Sequence, residues 1–154
     1  MMENEEFDLR DFMPYLLNQA AERLSVDFQA NYRGRYGMLR TEWRVLFHLG
    51  RYGAMTARAL CDLAGIHKTK VSRAVAALEA KRFLTRAPQE EDRRHETLSL
   101  TRAGDAAYQE LSAAAQTFDR KLMEAFSEEE QVILRNCLRR IAQLPKADGD
   151  DGMA

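Results

Sequence analysis

The sequence predicts a mainly α-helical fold with one small β-hairpin, an α+β arrangement. Apolar residues recur at helical spacing on both sides of the segment 56–104. Inside that segment, two short helical patterns meet at Gly65, and two alternating, strand-like stretches follow them. The expected core is therefore a helix-turn-helix unit with an adjacent hairpin, or wing, flanked by long N- and C-terminal helices.

A long first helix is expected from Phe12 to Tyr32, with Pro14 tolerated in its first turns. Its apolar stripe comprises Leu16, Leu17, Ala20, Ala21, Leu24 and Phe28. Gly34 and Gly37 are expected to interrupt this helix. The next helix should be capped by Thr41 and end at Gly50 and Gly53. It carries Trp43, Leu46, Phe47 and Leu49 toward the core.

The helix-turn-helix pattern begins at Thr56, which is a suitable N-cap. The first of its helices, 56–64, is expected to bury Ala57, Leu60, Leu63 and Ala64. After the turn at Gly65, a second helix begins near His67. One side of it should bury Val71, Val75, Leu78 and Phe83, and the opposite side presents Lys68, Thr69, Ser72, Arg73 and Ala76. Cations, hydroxyls and a small residue suit a helix that enters the major groove of DNA.

The wing is predicted from the alternating stretches 83–87 and 96–101, which favour strands. The tip, 89–95, lies between them and contains Arg93 and Arg94. Thr101 then caps a second long helix with the stripe Leu111, Ala115, Phe118, Leu122 and Phe126.

The last predicted helix begins with a capping box formed by Ser127 and Glu130 and is stopped by Pro145. Its stripe comprises Ile133, Leu134, Cys137, Leu138, Ile141 and Leu144. The tail, 146–154, has nothing to bury and is expected to be disordered.

Charge is distributed unevenly along a chain whose formal net charge is only -1. Between Ile66 and Arg86 there are six cations and one anion, Glu79, which gives a local charge of six minus one, or +5. Residues 3–11 are acidic instead. This asymmetry concentrates attraction for a polyanion on one surface.

Several classes of function are disfavoured by the residues present. Cys61 and Cys137 form no metal or disulfide pattern and are expected to be small buried hydrophobes. His48, His67 and His95 lack the spacing of metal ligands, and no nucleophile and base or phosphate-binding glycine loop indicates an enzyme or a cofactor. Without a signal-peptide pattern or a membrane-length apolar run, a cytoplasmic protein is expected.

The stripes of the flanking helices are expected to be only partly covered within one chain. A second copy that covers them produces a two-fold homodimer with two reading helices. These would meet DNA half-sites roughly 34–36 Å apart, so the expected partner is double-stranded DNA with an inverted-repeat operator.

Three segments resemble the MarR family of transcriptional regulators: RTEWRVL at 40–46, LCDLAGIHKTKVSRAVAALEAKRFLTR at 60–86 and DRRHETLSLTRAG at 92–104. The last is similar to the family's wing signature, and the resemblance extends over roughly residues 9–144. It implies an obligate dimer, recognition helices in adjacent major grooves, wing arginines in the minor groove, and DNA release by a small molecule or an oxidant.

The resemblance implies DNA-binding residues at matching positions. The reading helix supplies Lys68, Thr69, Lys70, Ser72 and Arg73, and the wing supplies Asp92, Arg93 and Arg94. Asp92 is expected to position the wing by pairing with Arg94. His67 either contacts a phosphate or caps the helix, while Arg40, Arg44 and Arg58 are either phosphate contacts or surface charges.

The resemblance also implies an effector pocket between the first long helix, the helix after the wing and the DNA-binding part. Candidate residues are Tyr15, Tyr36, Trp43, Arg44 and His48, which suit an aromatic carboxylate or its thioester. A core with aromatic edges is the alternative interpretation of the same residues. The family's redox-sensing members carry a cysteine near the start of the first long helix, and this chain has none there.

The predicted organisation is one domain, 1–154, with a helical dimerisation region at 9–33 and 102–145 and a DNA-binding region at 40–101. The predicted function is a dimeric, ligand-responsive repressor of a palindromic operator. A winged-helix module that binds another protein and a cysteine-based redox-sensing regulator remain as alternatives, and an enzyme ranks last.

Overall fold

A computed structural model of the chain describes residues 6–89, 91 and 95–144. The chain forms two compact units, residues 1–115 and 116–154. The first contains a 3₁₀ turn (Leu9–Asp11), α1 (Met13–Gln29), a π-helical turn (Ala30–Gly34), α2 (Arg40–Tyr52), β1 (Met55–Thr56), α3 (Ala57–Ala64), α4 (Lys68–Ala80), β2 (Leu84–Pro88) and β3 (Glu96–Leu100). Helix α5 (Arg102–Met123) begins in the first unit and ends in the second, which also contains α6 (Glu128–Ala142). The mainly helical fold with a small β wing is confirmed.

Helix α1 continues past the point where the sequence predicted its end. Gly34 lies inside the π-helical turn, and the chain leaves the helix only at Gly37, where φ is 62°. The prediction for Gly34 is therefore wrong, since a wider helical turn absorbs the extra residue. Of the α1 stripe, Phe28 is buried, Leu17 and Leu24 are half-buried, and Leu16, Ala20 and Ala21 are exposed.

Both ends of α2 differ from the prediction. The helix begins at Arg40, and the side chain of Glu42 accepts a hydrogen bond from the backbone N–H of Leu39, so Thr41 is not the cap. Gly50 lies within the helix and does not end it. Tyr108 of α5 packs against this position, where an added Cβ would lie 2.3 Å from the ring, and this close packing explains the glycine. Gly53 ends the helix as predicted, with φ 87°.

The helix-turn-helix unit has the predicted turn and a partly mispredicted core. Thr56 Oγ1 accepts a hydrogen bond from Ala59 N at 3.2 Å, and Gly65 makes the turn with φ 64°. Leu60 is buried as predicted, whereas Ala57 and Leu63 are exposed. The prediction failed for these two because a helix of 8 residues has one narrow buried stripe, here packed against α2 and α4.

Helix α4 buries Val71, Ala74, Val75 and Leu78 against α2 and α3. Phe83 does not belong to this buried stripe. The helix ends at Ala80, Arg82 adopts φ 63°, and Phe83 is half-buried in the turn that leads to β2.

The three strands form an antiparallel sheet in the order β1–β3–β2. Met55 pairs with Leu98, and Leu98 pairs with Arg86 on its other side. The sequence did not predict β1, because two residues are too short for an alternating pattern. Leu84 and Leu98 are buried and anchor the sheet to the helices.

Helix α5 starts where Thr101 predicted. Thr101 Oγ1 accepts a hydrogen bond from Gly104 N at 3.0 Å and donates one to Arg82 O at 2.7 Å. Gly104 lies so close to the preceding turn that an added Cβ would be 2.0 Å from Phe83 O. Within the first unit, Ala107 and Leu111 of α5 are buried.

The second unit confirms the Ser127 and Glu130 capping box, whose two hydrogen bonds measure 3.1 and 3.2 Å. Phe126 lies after the end of α5. Helix α6 ends at Ala142, followed by Gln143 with φ 55°, and Pro145 lies outside the described residues, as does the predicted tail.

The apolar stripe of α6 remains largely open in the single chain. Ile133, Ile141 and Leu144 each expose more than half of their surface. Cys137 is exposed and Cys61 is half-buried, so the prediction of a buried cysteine is wrong for Cys137. Helical periodicity locates a stripe but does not determine what covers it.

Candidate nucleic-acid interface

The predicted reading residues form one exposed surface on α4, defined here as the basic surface. It comprises His67, Lys68, Thr69, Lys70, Ser72 and Arg73, all of which are exposed. The other side of the helix is packed through Val71 and Val75. An exposed helix with cations and hydroxyls toward its N-terminus has the composition and access needed to enter a major groove.

His67 caps this helix. Its Nδ1 atom accepts a hydrogen bond from Thr69 N at 3.2 Å, so a neutral ring carries its proton on Nε2. Nε2–H is then available to donate to a phosphate. Capping and phosphate contact, which the sequence left as alternatives, are therefore compatible at this residue.

The local charge of +5 between Ile66 and Arg86 overstates the positive charge that remains unpaired in the folded chain. Lys81 Nζ pairs with Glu42 Oε1 at 3.0 Å, and Arg86 lies 3.2 Å from Glu79 and 3.5 Å from Glu96. In the described part of the chain, by contrast, no carboxylate lies within ion-pair distance of Lys68, Lys70 or Arg73. Within the described residues, the cations of this segment that stay unpaired are Lys68, Lys70 and Arg73 of α4 and the exposed Arg82 that follows it.

Glu42 is a supporting residue that the sequence did not reveal. It is 4% exposed, and its carboxylate accepts hydrogen bonds from Leu39 N and from Lys81 Nζ. Leu39 precedes α2 and Lys81 follows α4, so one buried carboxylate joins the start of α2 to the end of the reading helix. A Glu three residues after a helix cap is the sequence pattern that could have identified Glu42. The prediction missed it because it placed the cap of α2 at Thr41, whereas the cap is Leu39.

The wing is defined at its base. Strands β2 and β3 pair from Leu84↔Leu100 to Pro88↔Glu96, and Gln89 N donates to His95 O at 2.9 Å. Asp92, Arg93 and Arg94 lie outside the described residues, so their contacts with DNA and the pairing of Asp92 with Arg94 stay predictions.

A cavity of about 230 Å³ lies between the wing base, α3 and α4. Its lining includes Arg58, Ser72, Arg86 and His95. The exposed Arg58 at the start of α3 thus lies beside the same cavity as Ser72 of the basic surface. A phosphate contact of Arg58 stays a prediction.

The predicted effector residues lie on several elements. Tyr36 follows the π-helical turn, donates a hydrogen bond to Glu110 of α5 and meets Phe83 edge to face at 5.8 Å. Burial, together with Glu110, raises the pKa of the Tyr36 phenol. Tyr15 lies half-buried on α1.

The other three effector candidates are on α2. Trp43 stacks on Tyr32, with ring centroids 6.2 Å apart, within an aromatic cluster that extends to Tyr108 of α5. Arg44 Nη2 donates to Ala64 O at 2.9 Å, and burial lowers the pKa of this guanidinium. His48 Nδ1 lies 2.7 Å from Arg44 O. Arg44 and His48 share one face of α2, while the five-residue pocket stays a prediction.

Neither a metal site nor a membrane span occurs among the residues that the structure describes. No group of three His, Cys, Asp or Glu side chains among residues 6–89, 91 and 95–144 is arranged to hold a metal ion. Within the same residues, no helix has the length and hydropathy needed to span a membrane.

A family model and a bacterial regulator are both similar to this chain in sequence. The MarR family model matches residues 36–95. The uncharacterized HTH-type transcriptional regulator YwaE of Bacillus subtilis (strain 168) is 29% identical over 126 residues, covering 82% of this chain and 74% of the relative.

Two solved structures extend the similarity to the fold. A MarR/EmrR family transcriptional regulator from Acinetobacter sp. ADP1 is 26% identical with a TM-score of 0.79, covering 89% of this chain and 96% of that one. BpsR of Bordetella bronchiseptica, whose DNA binding is described as regulated by 6-hydroxynicotinic acid, is 22% identical with a TM-score of 0.81, covering 93% of this chain and 99% of that one.

Proposed function

The chain belongs to the MarR family of winged helix-turn-helix transcriptional regulators, and from this premise we propose that it is a homodimeric repressor of an inverted-repeat operator. It is a DNA-binding transcriptional regulator and not an enzyme. The observation that carries the finer proposal is the exposed basic surface of α4, whose opposite side is fully packed.

In the proposed complex, the first turn of α4 enters the major groove. His67, Lys68 and Lys70 contact phosphates, while Thr69, Ser72 and Arg73 reach base edges. Arg93 and Arg94 of the wing enter the minor groove, where a narrow groove attracts guanidinium groups, and Asp92 holds the wing by pairing with Arg94. The exposure of all six residues of the basic surface supports their access to DNA.

A second copy of the chain is proposed to cover the open apolar stripes. Exposed Leu16 on α1 and exposed Ile133, Leu138 and Ile141 on α6 support this pairing, because such surface is costly to leave in water. Two-fold pairing then holds the two reading helices one turn of DNA apart, roughly 34–36 Å.

The proposed effector is a small aromatic carboxylate or its thioester. BpsR, a structural relative, is regulated by 6-hydroxynicotinic acid, which belongs to this chemical class. The candidate site Tyr15, Tyr36, Trp43, Arg44 and His48 offers flat rings and a cation for such a molecule. Effector binding is proposed to lower operator affinity by favouring a dimer whose reading helices no longer match the half-site spacing.

The operator proposal is tested by selecting duplexes from a random pool with the purified protein and measuring binding by fluorescence anisotropy. The selected duplexes should contain an inverted repeat, bind one dimer and lose affinity steeply with salt as counterions are released. Arg73→Ala should lower the preference for the selected site over a scrambled duplex, whereas Arg120→Ala, outside the basic surface, should not. Equal affinity for selected and scrambled duplexes would refute sequence-specific binding.

The effector proposal needs a separate measurement. Adding 6-hydroxynicotinate to the protein–operator complex should lower the anisotropy in a concentration-dependent way, and Arg44→Gln should raise the concentration required. Full retention of the complex at millimolar concentrations of the acid would exclude this compound as a representative of the effector class.

A further inference from the structure

Residues 81–83 connect the reading helix to the wing, and we name them the α4–β2 turn. Arg82 N donates a hydrogen bond to Glu79 O at 2.9 Å, and Phe83 N donates one to Leu78 O at 2.9 Å, which is the pattern of a common helix ending. Arg82 has φ 63°, a left-handed conformation that glycine usually supplies at this position. Because a side chain is strained there, neighbouring segments must hold the conformation.

Thr101, which directly precedes α5, makes the contact that holds this conformation. Its hydroxyl donates a hydrogen bond to Arg82 O at 2.7 Å and accepts one from Gly104 N at 3.0 Å. Its own N–H donates to Phe83 O at 3.0 Å, so one residue binds two consecutive carbonyl groups of the turn. Gly104 allows this approach, because an added Cβ there would lie 2.0 Å from Phe83 O.

The start of the α4–β2 turn is held from another direction. Lys81 pairs with the buried Glu42 of α2 at 3.0 Å. The side chain of Arg82, by contrast, is exposed, and Thr101 acts on this residue through its backbone oxygen. The hydroxyl of Thr101 is therefore the group that stabilises the strained residue of the turn.

The position of this turn matters for DNA because the basic surface lies at the opposite end of α4. A helix of 13 residues is roughly 20 Å long, so a tilt of about 5° at its C-terminus moves its first turn by ~2 Å. A hydrogen bond to a base edge tolerates only a few tenths of an ångström. The wing sheet is fixed separately, through β1 and the buried Leu98. Release of the turn therefore changes the position of the reading helix relative to the wing.

We propose that Thr101 is a positioning residue for DNA recognition. Its hydroxyl keeps Arg82 in the left-handed conformation, and this conformation holds the reading helix and the wing at the angle at which both contact one half-site. Gly104 acts with it, because the missing Cβ makes room for the contact. The effect on the operator rests on the proposed function, whereas the contact itself does not.

Substitutions at Thr101 separate this role from helix capping. Thr101→Ser keeps both hydrogen bonds of the hydroxyl, whereas Thr101→Asp keeps an acceptor for Gly104 N and loses the donor to Arg82 O. In fluorescence anisotropy with a selected operator duplex, Thr101→Ser should bind within ~3-fold of the original protein, and Thr101→Asp should bind at least ~10-fold more weakly. Ser127→Asp makes the same exchange at the N-cap of α6 and should leave operator affinity unchanged.

A second substitution distinguishes geometry from charge. Arg82→Gly places a glycine where the left-handed conformation costs little, so Thr101→Asp/Arg82→Gly should bind the operator within ~3-fold of Arg82→Gly alone. If the carboxylate of Thr101→Asp simply repelled DNA, removal of the Arg82 cation would weaken binding further. Arg82→Gly alone should unfold at a higher temperature than the original protein, because it relieves the strained φ.

Hydrogen exchange without DNA gives a measurement that does not depend on the operator. The amides of Arg82 and Phe83 should exchange at least ~10-fold faster in Thr101→Asp than in the original protein, and Arg82→Gly should restore slow exchange at Phe83. Failure of the original protein to bind any operator would refute the proposed function and leave the exchange measurement decisive for the Thr101 contact.

The proposal is overturned if Thr101→Asp binds the operator as the original protein does, if the double variant binds no better than Thr101→Asp, or if exchange at Arg82 and Phe83 is unchanged. Equal losses for Thr101→Ser and Thr101→Asp would also overturn it, since the serine keeps the donor. Should Thr101→Asp not fold, the double variant decides: folding with operator binding supports the role of Thr101, and failure to fold overturns it.

Discussion

The ion pair between Glu42 and Lys81 allows a quantitative prediction about what supports the reading helix. Lys81→Met removes the ammonium and keeps most of the side-chain volume, which leaves the carboxylate of Glu42 with only the N–H of Leu39 as a described partner. The carboxylate is 4% exposed, so water cannot readily replace the lost contact. We therefore expect a large loss of stability from a substitution at a partly exposed lysine.

At 3.0 Å and an effective dielectric constant of about 20, the gross attraction between the two charges is about 5 kcal/mol. Leaving one buried charge unpaired costs a net 3–5 kcal/mol as an order of magnitude, and we expect about 3 kcal/mol because the Lys81 side chain is 33% exposed. For a chain of this length, the midpoint of thermal unfolding should fall by roughly 6–12 °C. Glu42→Gln should cost less, about 1 kcal/mol, because the amide oxygen still accepts from Leu39 and the lysine can be hydrated.

Thermal and urea unfolding of the single and double variants measure the coupling between the two residues. In the double variant Glu42→Gln/Lys81→Met no buried charge remains, so it should be more stable than Lys81→Met alone. Lys121→Met, at an exposed position of α5, controls for the substitution itself and should change stability by less than about 0.5 kcal/mol. Equal stability losses for Lys81→Met and Lys121→Met would show that the buried carboxylate does not depend on its partner, and the reasoning would be refuted.

Four further substitutions have expected outcomes. Lys70→Ala should weaken binding to all duplexes and, if Lys70 contacts one phosphate, reduce the slope of log affinity against log salt by about 0.9; an unchanged slope contradicts this role. Arg73→Ala should cost about 1–3 kcal/mol of binding free energy and relax the sequence preference. An unchanged preference contradicts the assignment of Arg73 to a base. Gly104→Ala should destabilise the protein by about 3 kcal/mol in urea unfolding, because its Cβ would lie 2.0 Å from the backbone oxygen of Phe83, and wild-type stability would contradict the close approach. Because the pKa of Tyr36 is raised in the folded protein, the unfolded chain loses this proton first as pH rises. The free energy of unfolding should therefore decline above the ordinary tyrosine pKa of 10.0, and Tyr36→Phe should flatten that decline. A curve of stability against pH that runs parallel to that of the original protein would contradict the assignment.

Local chemistry was readable from the sequence wherever the determining atoms lie within a few residues of one another. Thr56 and Ser127 cap the helices that they precede, and Gly65 adopts the left-handed conformation that the turn requires. The packed and free sides of α4 follow from helical periodicity alone. For the same reason, the residues of the basic surface were identifiable before the fold was known, although their contacts with DNA stay predictions.

Features that join distant segments were not readable. Gly50 looked like a helix end because glycine usually marks one, yet Tyr108 packs against it from α5. Lys81 and Arg86 counted as free cations until the fold placed Glu42, Glu79 and Glu96 beside them.

The sequence by itself thus indicated a resemblance to the MarR family, the order of the helices and of the two hairpin strands, and the face of α4 that stays exposed. Only the tertiary structure decided which charges are neutralised and which glycines are held by close packing. The physical reason is the separation along the chain over which each interaction acts. Capping and helix periodicity act over three or four residues, whereas burial and ion pairing depend on segments far apart in the chain, such as Glu42 and Lys81.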